Sequence, residues 1–194
     1  MKAVDYIKKM LDESFRVMLN PKKHWKDVNT SADLLEMGWF MFYLPGFLLV
    51  FLAIFLGDLL FESEYGFLFT DTIIKAIRKV LHLSLMLWAA NMLIFEISKS
   101  FHVPVSHENS RKMASYALLP VLFVTIVAGL FPFMDIVGLV GFYSLYLVYS
   151  ALNLLYDIHF KKNTSYVIVL LSSLFLAFAF IGFLLSKLTA LIIY

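Results

Sequence analysis

Residues 111–157 read RKMASYALLPVLFVTIVAGLFPFMDIVGLVGFYSLYLVYSALNLLYD, and the reading of this block decides the fold. Two apolar stretches run back to back, joined only by Pro132-Phe133-Met134-Asp135. Each is long enough to cross a bilayer as a helix, for which about 20 apolar residues suffice. So short a connection permits only an antiparallel hairpin.

Outward from this hairpin the same hydropathy recurs. Apolar residues make up 61% of the 194-residue chain and charged residues 15%, with a mean hydropathy of +0.84. These values lie well outside the range of a soluble domain. Windows of about 19 residues mark runs near 37–57, 78–98, 113–131, 136–156 and 166–186. In hydrocarbon every backbone amide must pair within its own segment, and the runs are too long and too continuously apolar for barrel strands. The expected fold is therefore all-α: a polytopic five-span bundle over residues 31–194, preceded by a cytoplasmic amphipathic segment over residues 1–30 that lies at the membrane interface.

The 16 Lys and Arg residues give this bundle a direction, because basic flanks stay on the cytoplasmic side. Twelve fall before the first span or in the second and fourth connections, and only Lys75, Arg78, Lys79 and Lys187 fall opposite. The expectation is a cytoplasmic N-terminus and an external C-terminus. No secretory signal is evident, since residues 1–15 alternate charge and apolar residues. Cysteine is absent, which excludes disulfide and thiol chemistry.

Before the first span, Val4, Ile7, Leu11, Phe15 and Met18 recur at helical steps with charges on the other face. Asn20-Pro21 restarts the chain with a capping residue and a proline suited to a first helical turn. Lys22, Lys23, Trp25 and Lys26 then combine basic charge with an aromatic, the composition of an interfacial anchor.

Polar residues within the spans are the candidate functional groups, because burying them in lipid is costly unless they face a helix neighbour or water. Ser84, Asn91 and Ser98 recur every seven residues in the second span. Glu96 lies near its cytoplasmic end, where Lys99 or Lys112 are available as counter-ions. In the fourth span Tyr143, Tyr146, Ser150, Asn153 and Asp157 follow steps of three and four, so all five fall on one helical face, expected to look inward. With Asn91, Glu96, Lys112 and Tyr116 they form the candidate intramembrane cluster. Interhelical hydrogen bonding explains such a stripe, and so does a solute or lipid pocket. Ser165, Ser172, Ala179 and Ser186, at seven-residue steps, mark a close-packing face of the fifth span, within the bundle or in a dimer.

Catalytic patterns fail on spacing. His107-Glu108-Asn109-Ser110-Arg111 begins a zinc-protease motif but carries Arg111 where the second His is required. There is no phosphate-binding glycine loop, no nucleophile elbow and no basic stretch suited to nucleic acid. Neither an enzymatic activity nor a metal or other cofactor is expected.

Three ordered elements carry a resemblance. Asn20-Pro21-Lys22-Lys23-His24-Trp25 is similar to a Pro-x-x-x-Trp start before span one. Ser115-Tyr116-Ala117-Leu118-Leu119-Pro120 is similar to an Ala-Tyr-x-x-x-Pro opening of span three. Phe142-Tyr143-Ser144-Leu145-Tyr146-Leu147-Val148-Tyr149 is similar to an aromatic block in span four. From residue 15 onward the chain resembles a bacterial member of the Yip1 domain family, five-span proteins whose eukaryotic relatives act in ER and Golgi vesicle traffic with Rab GTPases. Ser150-Ala151 stands where the family often has Gly, and some 36 residues precede span one where eukaryotic members have a longer partner-binding region. The resemblance thus implies the fold, the topology and a role in membrane organisation in a bacterial cytoplasmic membrane, and Rab binding is not carried over.

Two functions follow. The first is a non-catalytic organiser or adaptor whose cytoplasmic surface comprises the amphipathic N-terminus and residues 98–112 and 157–165, with the lipid bilayer and a membrane-protein partner or a second copy as its contacts. The second is a small-solute or ion transporter or channel, which requires a hydrated cavity between spans two, three and four near mid-membrane, lined by Asn91, Tyr116, Tyr143, Tyr146 and Asn153.

Overall fold

Apolar runs that must pair every amide internally become long helices, and the computed structural model describes them over residues 8, 12, 14–27, 39–61, 69–160 and 163–193. Its elements are α1 (Pro21–Asp27), α2 (Trp39–Phe61), α3 (Phe69–Ser100), α4 (His107–Ala117), α5 (Leu119–Leu130), a 3-10 helix (Asp135–Phe142), α6 (Tyr143–Tyr156) and α7 (Thr164–Ile193). No strand occurs among the described residues. Among the described residues five segments are long and apolar enough to span a membrane: Tyr43–Phe61, Phe69–Ser100, His107–Leu130, Gly138–Tyr156 and Thr164–Leu191. The protein is an all-α, five-span transmembrane bundle.

Three boundaries differ from the expected ones for local reasons. The second span is already helical at Phe69, and Asp71 in its first turn complements the positive end of the helix dipole. The third span is broken into α4 and α5 at Leu118, because Pro120 lacks an amide hydrogen and its ring crowds the preceding turn. The fourth span opens as a 3-10 helix through Gly138 and Gly141, residues with little preference for an α-helix.

Helix pairing follows from small residues and from aliphatic faces. α2 and α5 approach closely where Gly57 meets Gly129, while α7 packs mainly on α3. The core is built from Leu87, Ile94, Met113, Tyr116, Leu147, Leu152 and Leu170. The buried face of α7 carries Tyr166, Val167, Leu170 and Leu174, whereas Ser165, Ser172, Ala179 and Ser186 are exposed. Branched aliphatics and a tyrosine make more van der Waals contact than the serines, and they take the inner face.

Candidate functional site

Residues 14–27 are helical apart from Asn20, and backbone bonds carry the helix across it: Asn20 N–H donates to Arg16 O at 2.9 Å and His24 N–H to Asn20 O at 3.0 Å. Pro21 sits where its missing hydrogen costs nothing. Val17, Pro21, His24 and Trp25 therefore share one face, and all four are buried. The Trp25 ring meets Tyr116 edge to face at 5.8 Å and 83°, and the His24 ring lies 4.4 Å from Tyr116. The Tyr143 hydroxyl donates to Met18 O at 3.0 Å, tying the same segment to α6. Beside Tyr116, the Tyr43 hydroxyl donates to Ser115 O and joins α2 to α4.

This docking corrects one expectation about the interfacial anchor. Lys22, Lys23 and Lys26 are exposed, as an anchor requires, but Trp25 is 0% exposed and belongs to the core. Its ring area is covered by Tyr116 and His24, a larger apolar gain than resting among headgroups. The outward face of residues 14–27 carries Phe15, Leu19, Lys22, Lys23 and Lys26 instead.

The polar cluster is only partly gathered. Asn91 accepts a hydrogen bond from Ser110 Oγ at 2.8 Å, joining α3 to α4. Lys112 pairs with Glu108 at 2.9 Å, one helical turn away on α4, while Glu96 is exposed and makes no ion pair with it. On α6 the buried residues are Ser144, Leu147, Val148, Ser150, Ala151 and Leu152. Of the expected inward stripe, Ser150 is buried, Tyr143 and Asn153 are half-buried, and Tyr146 and Asp157 are exposed. The stripe straddles the edge of the helix because an aliphatic and small-residue face packs more closely than tyrosines, whose hydroxyls favour a wet boundary. Asp157 adopts a left-handed backbone with φ 54° and ends α6, so that Ile158 N–H donates to Leu152 O at 3.3 Å. Asp tolerates that conformation better than most side chains, and here it terminates a helix with a six-to-one backbone bond.

A space of about 210 Å³ between α3 and α4 is lined by Trp88, Asn91, Arg111 and Ser115 among others, and of the five proposed lining residues it includes Asn91 alone. No grouping of three His, Cys, Asp or Glu side chains suited to a metal occurs among the described residues. His107 instead stacks on Phe95 with ring centres 3.5 Å apart.

Several polar contacts lay outside the sequence reading. Tyr166 and Ser98 hydroxyls meet at 2.7 Å between α7 and α3, and Asn109 Nδ2 donates to the Tyr156 hydroxyl at 2.7 Å between α4 and α6. His82 Nε2 lies 3.2 Å from Phe178 O, facing Gly182. Asp58, at the far end of α2, accepts from Thr72 Oγ1 at 2.9 Å and pairs with Lys75 Nζ at 3.2 Å. The available signal was a lone acid closing an apolar run, with cations early in the next one.

These contacts bring the three short sequence elements together: Pro21–Trp25 lies on Tyr116, and Tyr143 holds the turn before Pro21. The model of the Yip1 domain matches residues 15–184, a stretch that takes in α1, the first four spans and the fifth as far as residue 184. No curated protein and no solved structure matches the chain. The match covers most of the sequence and agrees with the architecture, and the protein belongs to the Yip1 domain family.

Proposed function

We propose that this integral membrane protein is a non-catalytic organiser or adaptor of a bacterial cytoplasmic membrane, acting through its N-terminal segment on the cytoplasmic side. One observation carries this reading. Residues 14–27 are fixed to the bundle by Val17, His24 and Trp25, while Phe15, Leu19, Lys22, Lys23 and Lys26 project away from it. A rigidly held face that combines apolar groups with lysines suits anionic headgroups and a partner lying at the same interface. The excess of basic residues on the flanks assigned to that side supports the orientation.

The test combines topology with association. In this cysteine-free chain Lys22→Cys provides a single thiol for a membrane-impermeant maleimide. Labelling only after permeabilisation is the expected result, and labelling of intact cells overturns the orientation. Phe15→Glu with Leu19→Glu should remove cross-links to neighbouring membrane proteins while thermal unfolding stays unchanged. An unaltered cross-link pattern would count against the adaptor role, and membrane fractionation checks the location.

A further inference from the structure

The cleft of about 210 Å³ between α3 and α4 is bordered by Trp88 and Asn91 on one helix and by Arg111 and Ser115 on the other. Hydroxyls elsewhere in the spans return to the carbonyl one turn back, as those of Ser84, Ser98, Thr125 and Thr189 do. Ser115 departs from this habit: its residue is 0% exposed, and its hydroxyl has no hydrogen-bond partner among the described residues. A buried hydroxyl left unpaired is costly, and a ligand in the cleft would satisfy it. Two further donors border the same space. Asn91 engages Ser110 Oγ through its carbonyl oxygen, which leaves Nδ2 turned to other acceptors. Arg111 is exposed at the mouth, and Glu108, one turn before it, pairs with Lys112 at 2.9 Å.

Depth identifies the acceptor. Asn91 lies about 13 Å before the Ser100 end of α3, a helix about 18 Å longer than the hydrocarbon it crosses. The cleft therefore sits at the level of phospholipid esters and phosphates. Along α4 the charged donor, Arg111, is one turn nearer the helix end than the hydroxyl of Ser115. A glycerol backbone presents its phosphate and ester carbonyls in that same order. Deeper in the membrane, Leu85 and Leu81 prolong the exposed face of Trp88 along α3 at steps of three and four.

We propose that this cleft seats the glycerophosphate portion of a membrane phospholipid, with its phosphate at Arg111, an ester carbonyl at Ser115 and Asn91 Nδ2, and one acyl chain along Trp88, Leu85 and Leu81. Three converging donors call for a ligand rich in acceptors, and a guanidinium matches phosphate oxygens. The exposed apolar track calls for a hydrocarbon chain, which a soluble phosphate ester lacks.

The purified full chain, delipidated in a non-ionic detergent, is irradiated with phosphatidylglycerol bearing a diazirine near the carboxyl end of one acyl chain, and adducts are mapped by mass spectrometry. Adducts should concentrate on Leu81, Leu85 or Trp88. Unlabelled phosphatidylglycerol should compete about tenfold better than diacylglycerol, as one charge-assisted bond implies, and glycerol 3-phosphate should not compete. Arg111→Gln should erase the advantage over diacylglycerol. Ser115→Ala should raise the lipid concentration needed for half-labelling about fivefold, while thermal unfolding of the lipid-free protein stays unchanged or shifts upward, because an unpaired hydroxyl has been removed. Equal competition by diacylglycerol, full competition by glycerol 3-phosphate, or adducts spread evenly over the exposed helix faces, as ordinary boundary lipid gives, would each overturn the proposal. So would a Ser115→Ala protein that labels like the parent. If Ser115→Ala does not fold, Arg111→Gln at its exposed position decides the outcome.

Discussion

Gly57 and Gly129 meet across α2 and α5 so closely that a Cβ on Gly57 would lie 1.9 Å from the Gly129 carbonyl oxygen. Backbone cannot yield as a side-chain tip can, so any larger residue must separate the helices. Gly57→Ala should cost about 1–3 kcal/mol or more of stability, the usual range for overpacking. Gly46→Ala meets only the mobile end of Leu122, at 2.6 Å, and should cost less. Denaturant titration in mixed micelles gives the order, and equal losses would contradict a backbone contact.

Trp25 differs in kind from the lysines around it. Trp25→Ala removes a fully buried ring and should cost about 3–5 kcal/mol, with proteolysis appearing within residues 14–27. Lys22→Ala, Lys23→Ala and Lys26→Ala should each stay within about 0.5 kcal/mol of the parent protein. A Trp25→Ala protein that unfolds like the parent would place the ring outside the core.

The Asp58–Lys75 pair is unequally buried, with side-chain exposures of 7% and 39%. Lys75→Met leaves a buried carboxylate with only Thr72, whereas Asp58→Asn leaves an ammonium that reaches water. After allowance for screening at Lys75, the first should cost about 1–3 kcal/mol and the second less. Adding Asp58→Asn to Lys75→Met should recover part of the loss, and strict additivity in that double-mutant cycle would show the pair to be uncoupled.

Hydroxyls on tyrosines also divide by environment. Tyr166→Phe removes the interhelical bond to the buried Ser98 hydroxyl, which keeps its bond to Ile94 O, and should cost about 0.6–2 kcal/mol, as interhelical hydrogen bonds in membranes do. Tyr146→Phe, at an exposed position, should be nearly neutral in the same thermal unfolding assay. A larger loss for Tyr146→Phe would restore the inward stripe.

The five spans were legible because hydrocarbon imposes one rule on every residue of a segment, and a window average reads that rule directly. The break at Leu118 was legible in part through Pro120, whose defect is local. Which face of a helix turns inward was harder. Tyr143, Tyr146, Ser150, Asn153 and Asp157 share a face by spacing, yet Leu147, Val148 and Ala151 compete for the same neighbours and win on packing. Trp25 carries the composition of an interfacial anchor, and its burial depends on Tyr116, ninety-one positions away. The Gly57–Gly129 contact is likewise a property of two helices, and neither glycine alone announces it. Periodicity reports what one helix offers, whereas the partner decides what is used.

The lengths of α3 and α7 set a demand on the surrounding bilayer. At 32 and 30 residues they measure about 48 and 45 Å, against about 30 Å of hydrocarbon in an average membrane. Because the two pack together, they must lean as a unit or project together beyond the shorter helices. A thin bilayer makes that lean steeper and a thick one straightens it, at fractions of a kcal/mol for each ångström of mismatch. The pair therefore stands most upright where the surrounding bilayer is thickest.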